Sequence, residues 1–263
     1  MPWELLFFSA ILVFCDIMFV IGKRREISMA YQAVFKRFEL KYILNTAQRD
    51  RLLQLMEPYM SLDQYGYTTI RNLYFDTPDY RLIRRSIERP VFKEKLRFRS
   101  YCQLRPEEPA FVEIKRKYQS QVYKRRLSMP ERSALNWLSN QVNAATDQIG
   151  REIEYFRDYY QNLEPRVYLC YDRCAYRCRR GGDFRITLDD NICARLDRLS
   201  LCAESGGKRL LPEGYYLMEI KTADAIPLWL TRWLSEEKLY KTSFSKYGTA
   251  YQTMIFKGEN TYV

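Results

Sequence analysis

The stretch Lys95-Leu96-Arg97-Phe98-Arg99-Ser100-Tyr101 and, a short way on, Phe111-Val112-Glu113-Ile114-Lys115-Arg116-Lys117 decide how the chain is read. In a strand successive side chains point to opposite faces, so Lys95, Arg97 and Arg99 share one face with Leu96 and Phe98 on the other. Glu113, Lys115 and Lys117 share a face around Ile114 in the same way. The pattern recurs outward along the chain. Glu39 and Lys41 alternate with Phe38 and Leu40, with Arg37 one step earlier; Lys124 and Arg126 share a face; Glu219 and Lys221 flank Ile220. A single strand of this kind reads as the solvent face of an ordinary half-buried sheet. Several together, accompanied by helices that need an apolar sheet surface to pack on, turn the charged face inward. Cations crowded on such a face repel one another unless an anion sits among them.

Strand signals fall near 35–43, 67–76, 91–102, 109–118, 121–128, 165–177, 183–190 and 215–222, rich in aromatic and β-branched residues and bounded by turn residues. Helical patterns lie at 46–60 behind a Thr46 cap, from the capping box Ser128-Met129-Pro130-Glu131 through Trp137, at 147–163 and at 225–239. No repeat or linker breaks residues 31–256. The expected fold is α+β: an eight-stranded antiparallel β-barrel, or tunnel, with helices packed on the outside. The aromatic residues, 22 Tyr and 14 Phe, are expected mainly on the face opposite the charges.

Composition narrows the chemistry. The chain of 263 residues has a formal net charge of +11, which favours a polyanionic partner. Histidine is absent, which removes the commonest general base and the Ser-His-Asp and Cys-His nucleophile systems. Catalysis then rests on carboxylates, cations and a metal. The seven cysteines lack CxxC spacing and read as reduced thiols of a cytoplasmic protein rather than a zinc site. Residues 1–28 stand apart: Trp3 to Gly22 is apolar and is followed by Lys23, Arg24 and Arg25. Two readings stay open, an anchor or partner-binding segment that holds the domain on the cytoplasmic face of a membrane, and a mis-assigned start before Met29, with the domain proper at 29–263.

With those residues assembled, the chain resembles the polyphosphate polymerase domain of the triphosphate tunnel metalloenzyme superfamily, the catalytic domain of the vacuolar transporter chaperone complex and its bacterial relatives. The likeness runs from Phe35 to Phe256. It rests on FKRFELKYIL at 35–44, LYFDTPDY at 73–80, KLRFRSY at 95–101, FVEIKRK at 111–117, YDR at 171–173, FRITLDD at 184–190, YYLMEIKT at 215–222 and FSKY at 244–247, in that order.

The resemblance implies a tunnel that holds a nucleotide triphosphate or phosphate chain. Lys41, Arg97, Arg99, Lys115, Lys124, Arg173, Arg185, Lys221 and Lys246 are then the catalytic phosphate ligands, and Glu219 the ligand of Mn²⁺ or Mg²⁺. Glu39, Glu113, Arg126 and Ser245, the last as a hydrogen-bond donor, complete the expected substrate contacts. The implied reaction moves the γ-phosphoryl group of ATP onto growing polyphosphate. One departure bears on this: hydrolytic branches of the superfamily carry Glu-x-Glu-x-Lys where this chain has Arg37-x-Glu39-x-Lys41. An Arg in place of a carboxylate weakens a metal-activated water and strengthens polyanion binding. Hydrolysis of tripolyphosphate or nucleotide triphosphates is the first alternative, and a non-catalytic polyphosphate-binding module the second. Nucleic acid is not the expected partner, because core packing explains the aromatic residues better than base stacking.

Overall fold

A computed structural model describes residues 38–119, 121–139 and 145–256. The apolar N-terminal stretch, Arg37 and Cys15 lie outside the described residues, and among those described no helix is long and apolar enough to cross a membrane. The elements follow in order as β1 (Phe38–Asn45), α1 (Thr46–Met56), β2 (Met60–Asp76), α2 (Arg81–Ile87), β3 (Phe92–Ser100), β4 (Pro109–Tyr118), β5 (Gln121–Pro130), α3 (Glu131–Ser139), α4 (Gln148–Tyr160), β6 (Glu164–Cys178), β7 (Arg185–Arg195), β8 (Lys208–Arg209), β9 (Tyr215–Thr222), α5 (Leu228–Glu236) and α6 (Lys246–Met254).

The strands pair antiparallel in the order β1-β9-β7-β6-β2-β3-β4-β5, so each expected strand is present, and a two-residue β8 is added beside β7. The ends of this path, β5 and β1, are not paired by backbone hydrogen bonds. A side-chain contact spans the opening between them: Lys115 Nζ on β4, the neighbour of β5, stands 3.5 Å from Glu39 Oε2 on β1, so the sheet curls its charged face inward.

Apolar residues between the charges build two outer cores. Leu96, Phe98, Val112 and Ile114 pack under α3 and α4 with Trp137, Ile153 and Phe156. On the other side Tyr42, Leu44, Ile186, Met218 and Ile220 pack under α1 and α5 with Leu52, Met56, Leu230 and Trp233. A third core departs from the helices-outside expectation. Tyr247, Ala250 and Tyr251 of α6 pack with Ile70, Tyr74, Leu169, Tyr171 and Leu217. Those strand residues share the face of Asn72, Arg173 and Glu219, so α6 fills one end of the tunnel's inner side.

Two caps also differ from expectation. Asn45, not Thr46, caps α1: its Oδ1 accepts from Gln48 N at 2.9 Å while Gln48 Oε1 accepts from Asn45 N at 3.1 Å, a reciprocal box. Thr46 is the first helical residue, and its hydroxyl donates to the Gly214 carbonyl. Glu131 does not reach back to Ser128; its carboxylate accepts from the Ser200 hydroxyl at 2.9 Å and the Leu201 N–H at 2.7 Å, pinning a distant loop. Asp147 caps α4, accepting from Gly150 N at 2.7 Å. Among the described residues Cys170, Cys174, Cys178, Cys193 and Cys202 are free thiols.

Candidate active site

Register places the inward charges. Arg97 faces Glu113 across β3 and β4, and Glu113 faces Arg126 across β4 and β5. Lys41 faces Glu219 across β1 and β9, and Arg173 faces Asp189 across β6 and β7.

Two carboxylate-centred clusters result. In the first, Glu113 is fully buried. Arg97 donates to its Oε2 at 2.8 Å, Lys124 forms an ion pair with Oε1, and Arg99 Nη1 lies 3.8 Å away. Neutral neighbours hold the guanidinium groups: Arg97 donates to Tyr74 Oη at 3.2 Å, and Arg99 to Asn72 Oδ1 at 2.8 Å and Tyr171 Oη at 3.3 Å. Burial pushes the Glu113 carboxyl upward, but Arg97, Arg99 and Lys124 outweigh it and hold the group well below the carboxylate range. Burial, opposed by Glu113 and assisted by Arg97 and Arg99, brings Lys124 down to about 7.

In the second, Glu219 is ringed by cations. Lys246 Nζ is 3.3 Å away, Arg173 Nη2 3.2 Å, and Lys41 and Lys221 both 3.4 Å. Asp189, fully buried, receives Arg173 at 2.5 and 2.7 Å and Lys246 at 2.5 Å. Burial works against ionisation of Glu219, yet Lys246, Lys41, Lys221 and Arg173 hold it well below the usual range. Asp189 is lowered against burial by Arg173 and Lys246. Glu39, 3.4 Å from Lys41, is brought down to about 2, chiefly by Lys115 and against burial, with Lys41 and Lys221 adding to it.

Lys95 has no ion pair among the described residues. It donates to Ser245 Oγ at 3.1 Å and faces the Tyr247 ring, and burial with the charges of Lys115, Lys41 and Lys93 lowers it to about 8 against the pull of Tyr74. Ser245 caps α6, accepting from Gly248 N at 3.2 Å, so its own proton remains to donate.

Of the residues expected at the site, Lys41, Arg97, Arg99, Lys115, Lys124, Arg173, Lys221, Lys246, Glu39, Glu113, Glu219 and Ser245 come together. Arg185 faces Lys221 across β7 and β9 and, half exposed, lies 3.9 Å from Asp63. Arg126 lies over the Phe111 ring, 4.6 Å from its centre. Four further inner residues, Lys95, Asp189, Tyr74 and Tyr171, belong to the same group, the two tyrosines being aromatic side chains on the charged face. Asp189 was within reach of the same reading, since it continues the alternation Arg185, Thr187, Asp189.

No three His, Cys, Asp or Glu among the described residues gather into a protein-only metal cage. The donors on offer are ionised Glu219 and Glu39, both in contact with Lys41. That set fits a divalent ion held by one or two carboxylates and completed by phosphate oxygens, the usual arrangement for Mg²⁺.

A family model described as the VTC domain matches residues 36–255. The chain belongs to the VTC domain family. Among solved structures, a candidate adenylate cyclase from Bacillus halodurans is similar over 81% of this chain and 96% of its own, with 14% identity and a TM-score of 0.50. Another from Vibrio parahaemolyticus is similar over 82% of this chain and 98% of its own, at 15% identity and a TM-score of 0.46. No curated protein matches the chain. The Bacillus likeness bears on the fold alone.

Proposed function

We propose that this VTC domain is a polyphosphate polymerase that transfers the γ-phosphoryl group of ATP to the end of a polyphosphate chain and releases ADP. The observation that carries it is an inward face on which lysine and arginine outnumber carboxylates, with Lys95 left unpaired. Such a face is short of negative charge, and phosphate oxygens supply it.

The chemistry needs no proton acceptor. A terminal oxygen of the chain, already anionic, attacks the γ-phosphorus; the bond from that phosphorus to the β-phosphate oxygen of ATP breaks, and ADP leaves with the electron pair. Glu39, Glu113, Asp189 and Glu219 are all held below the carboxylate range, which makes each a poor base at neutral pH.

Arg97, Arg99 and Lys124 hold phosphate oxygens from one side and Arg173, Lys221 and Lys246 from the other, while Ser245 donates its hydroxyl proton. Phosphoryl transfer depends mainly on positioning and charge neutralisation. When bound, a divalent ion held by Glu219 and Glu39 would supply charge neutralisation to the phosphates. ATP and Mn²⁺ incubated with the full chain should yield ADP and a ladder of polyphosphate on a gel; orthophosphate as the sole phosphate product would overturn the polymerase reading. Glu219→Ala should lose metal-dependent turnover while polyphosphate affinity, measured by calorimetry, persists. Loss of both would leave Glu219 without a metal role.

A further inference from the structure

The inner lysines continue past the residues assigned above, and there like charges are set opposite one another. Across β3 and β4, Lys95 faces Lys115 and, one pleat further, Lys93 faces Lys117; across β4 and β5, Lys115 faces Lys124. Like charges directly opposite destabilise a sheet. Lys115 and Lys124 have counter-ions in Glu39 and Glu113. Lys93 and Lys117 have no ion pair among the described residues.

Lys93, half-buried, donates to the Ser86 carbonyl at 3.3 Å. Burial lowers its proton affinity, and the charges of Lys117, Arg89, Lys115 and Lys41 lower it further. Arg89 is fixed by a left-handed backbone (φ 58°) and donates to Ser243 Oγ at 3.4 Å. Neither contact neutralises a charge.

We propose that Lys93 and Lys117, with Arg89 beyond them, form a separate subsite for the internal phosphates of a long polyphosphate, one that a triphosphate bound at Arg97 and Arg99 does not reach. From Arg99 to Lys93 the strand advances six residues, about 20 Å at the usual rise. A triphosphate is shorter than that. Only a polymer therefore touches both ends of the row, and the subsite grips product in proportion to its length. The inference rests on the phosphate-chain reading above.

The test is the double variant Lys93→Met, Lys117→Met in the full chain, with binding of tripolyphosphate and of long-chain polyphosphate measured by calorimetry at two salt concentrations. Long-chain affinity should fall about tenfold with a shallower salt dependence, as expected when two cations leave a polyanion contact, while tripolyphosphate affinity changes less than about twofold. Equal weakening of both ligands, or no change in either, would overturn the subsite. Wild-type protein that binds neither ligand would overturn the phosphate-chain reading itself and the subsite with it. The variant should melt no lower than wild type, because it relieves a repulsion; a lower melting temperature would contradict the argument from opposed charges.

Discussion

At the scale of single residues the site is a set of buried charges whose costs are shared. Glu113 has no access to water, so removing a cation from it leaves a poorly compensated charge. Breaking a buried pair costs about 3–5 kcal/mol, and Arg97→Ala should lose up to that amount of stability together with polymer synthesis, less if Arg99 and Lys124 move in. Pairing it with Glu113→Ala should restore much of the stability and none of the synthesis, read from denaturant midpoints and gels. Lys95 gives a pH signature. Its folded value of about 8 lies below the ordinary 10.5, so between those values the unfolded chain binds more protons than the folded one. Stability of the ligand-free protein should therefore rise with pH across that window, and phosphate affinity should fall as pH climbs through about 8. Lys95→Met should flatten both curves. Most of these residues were legible because alternation of charge and apolar bulk survives in sequence. Asp189 and Asp190 are adjacent, and only register shows that the first meets Arg173.

At the scale of elements, α6 carries the site from outside the sheet's own pattern. Its first residue delivers Lys246 between Asp189 and Glu219, and its second sends the Tyr247 hydroxyl to Asp76 Oδ2 at 2.8 Å. Asp76, fully buried, also accepts from Leu82 N at 2.8 Å and Ile83 N at 3.0 Å, tying β2, α2 and α6 together. Asp76→Ala should cost on the order of 3 kcal/mol by orphaning those donors, and should weaken phosphate binding through a displaced Lys246. Gly248→Ala should act similarly but more mildly, since a Cβ there would stand 3.2 Å from the Ser245 cap. The long strands could be read beforehand from their period. Helices α2 and α6 could not: α2 is one short turn pair, and Lys-Tyr-Gly-Thr-Ala-Tyr-Gln-Thr-Met carries no clear 3.6-residue apolar stripe. Its packing is set by the tunnel end that it fills.

At the scale of the whole molecule, a cation-rich interior makes the ligand part of the stability balance. Saturating tripolyphosphate should raise the melting temperature, by about 2.7 kcal/mol of stabilisation at a hundred times the dissociation constant. The curled sheet could be inferred from charge on one face and helices on the other. How its two ends meet could not, because no sequence pattern specifies a contact such as Lys115 with Glu39. That contact ties β4 to β1 across the open side of the curled wall, a seam bridged by charge where every other join is a backbone ladder. Ionic strength should loosen the seam before it touches the ladders. Amide exchange would then quicken first along β5, and a filament of product would have a sideways way out as well as an axial one.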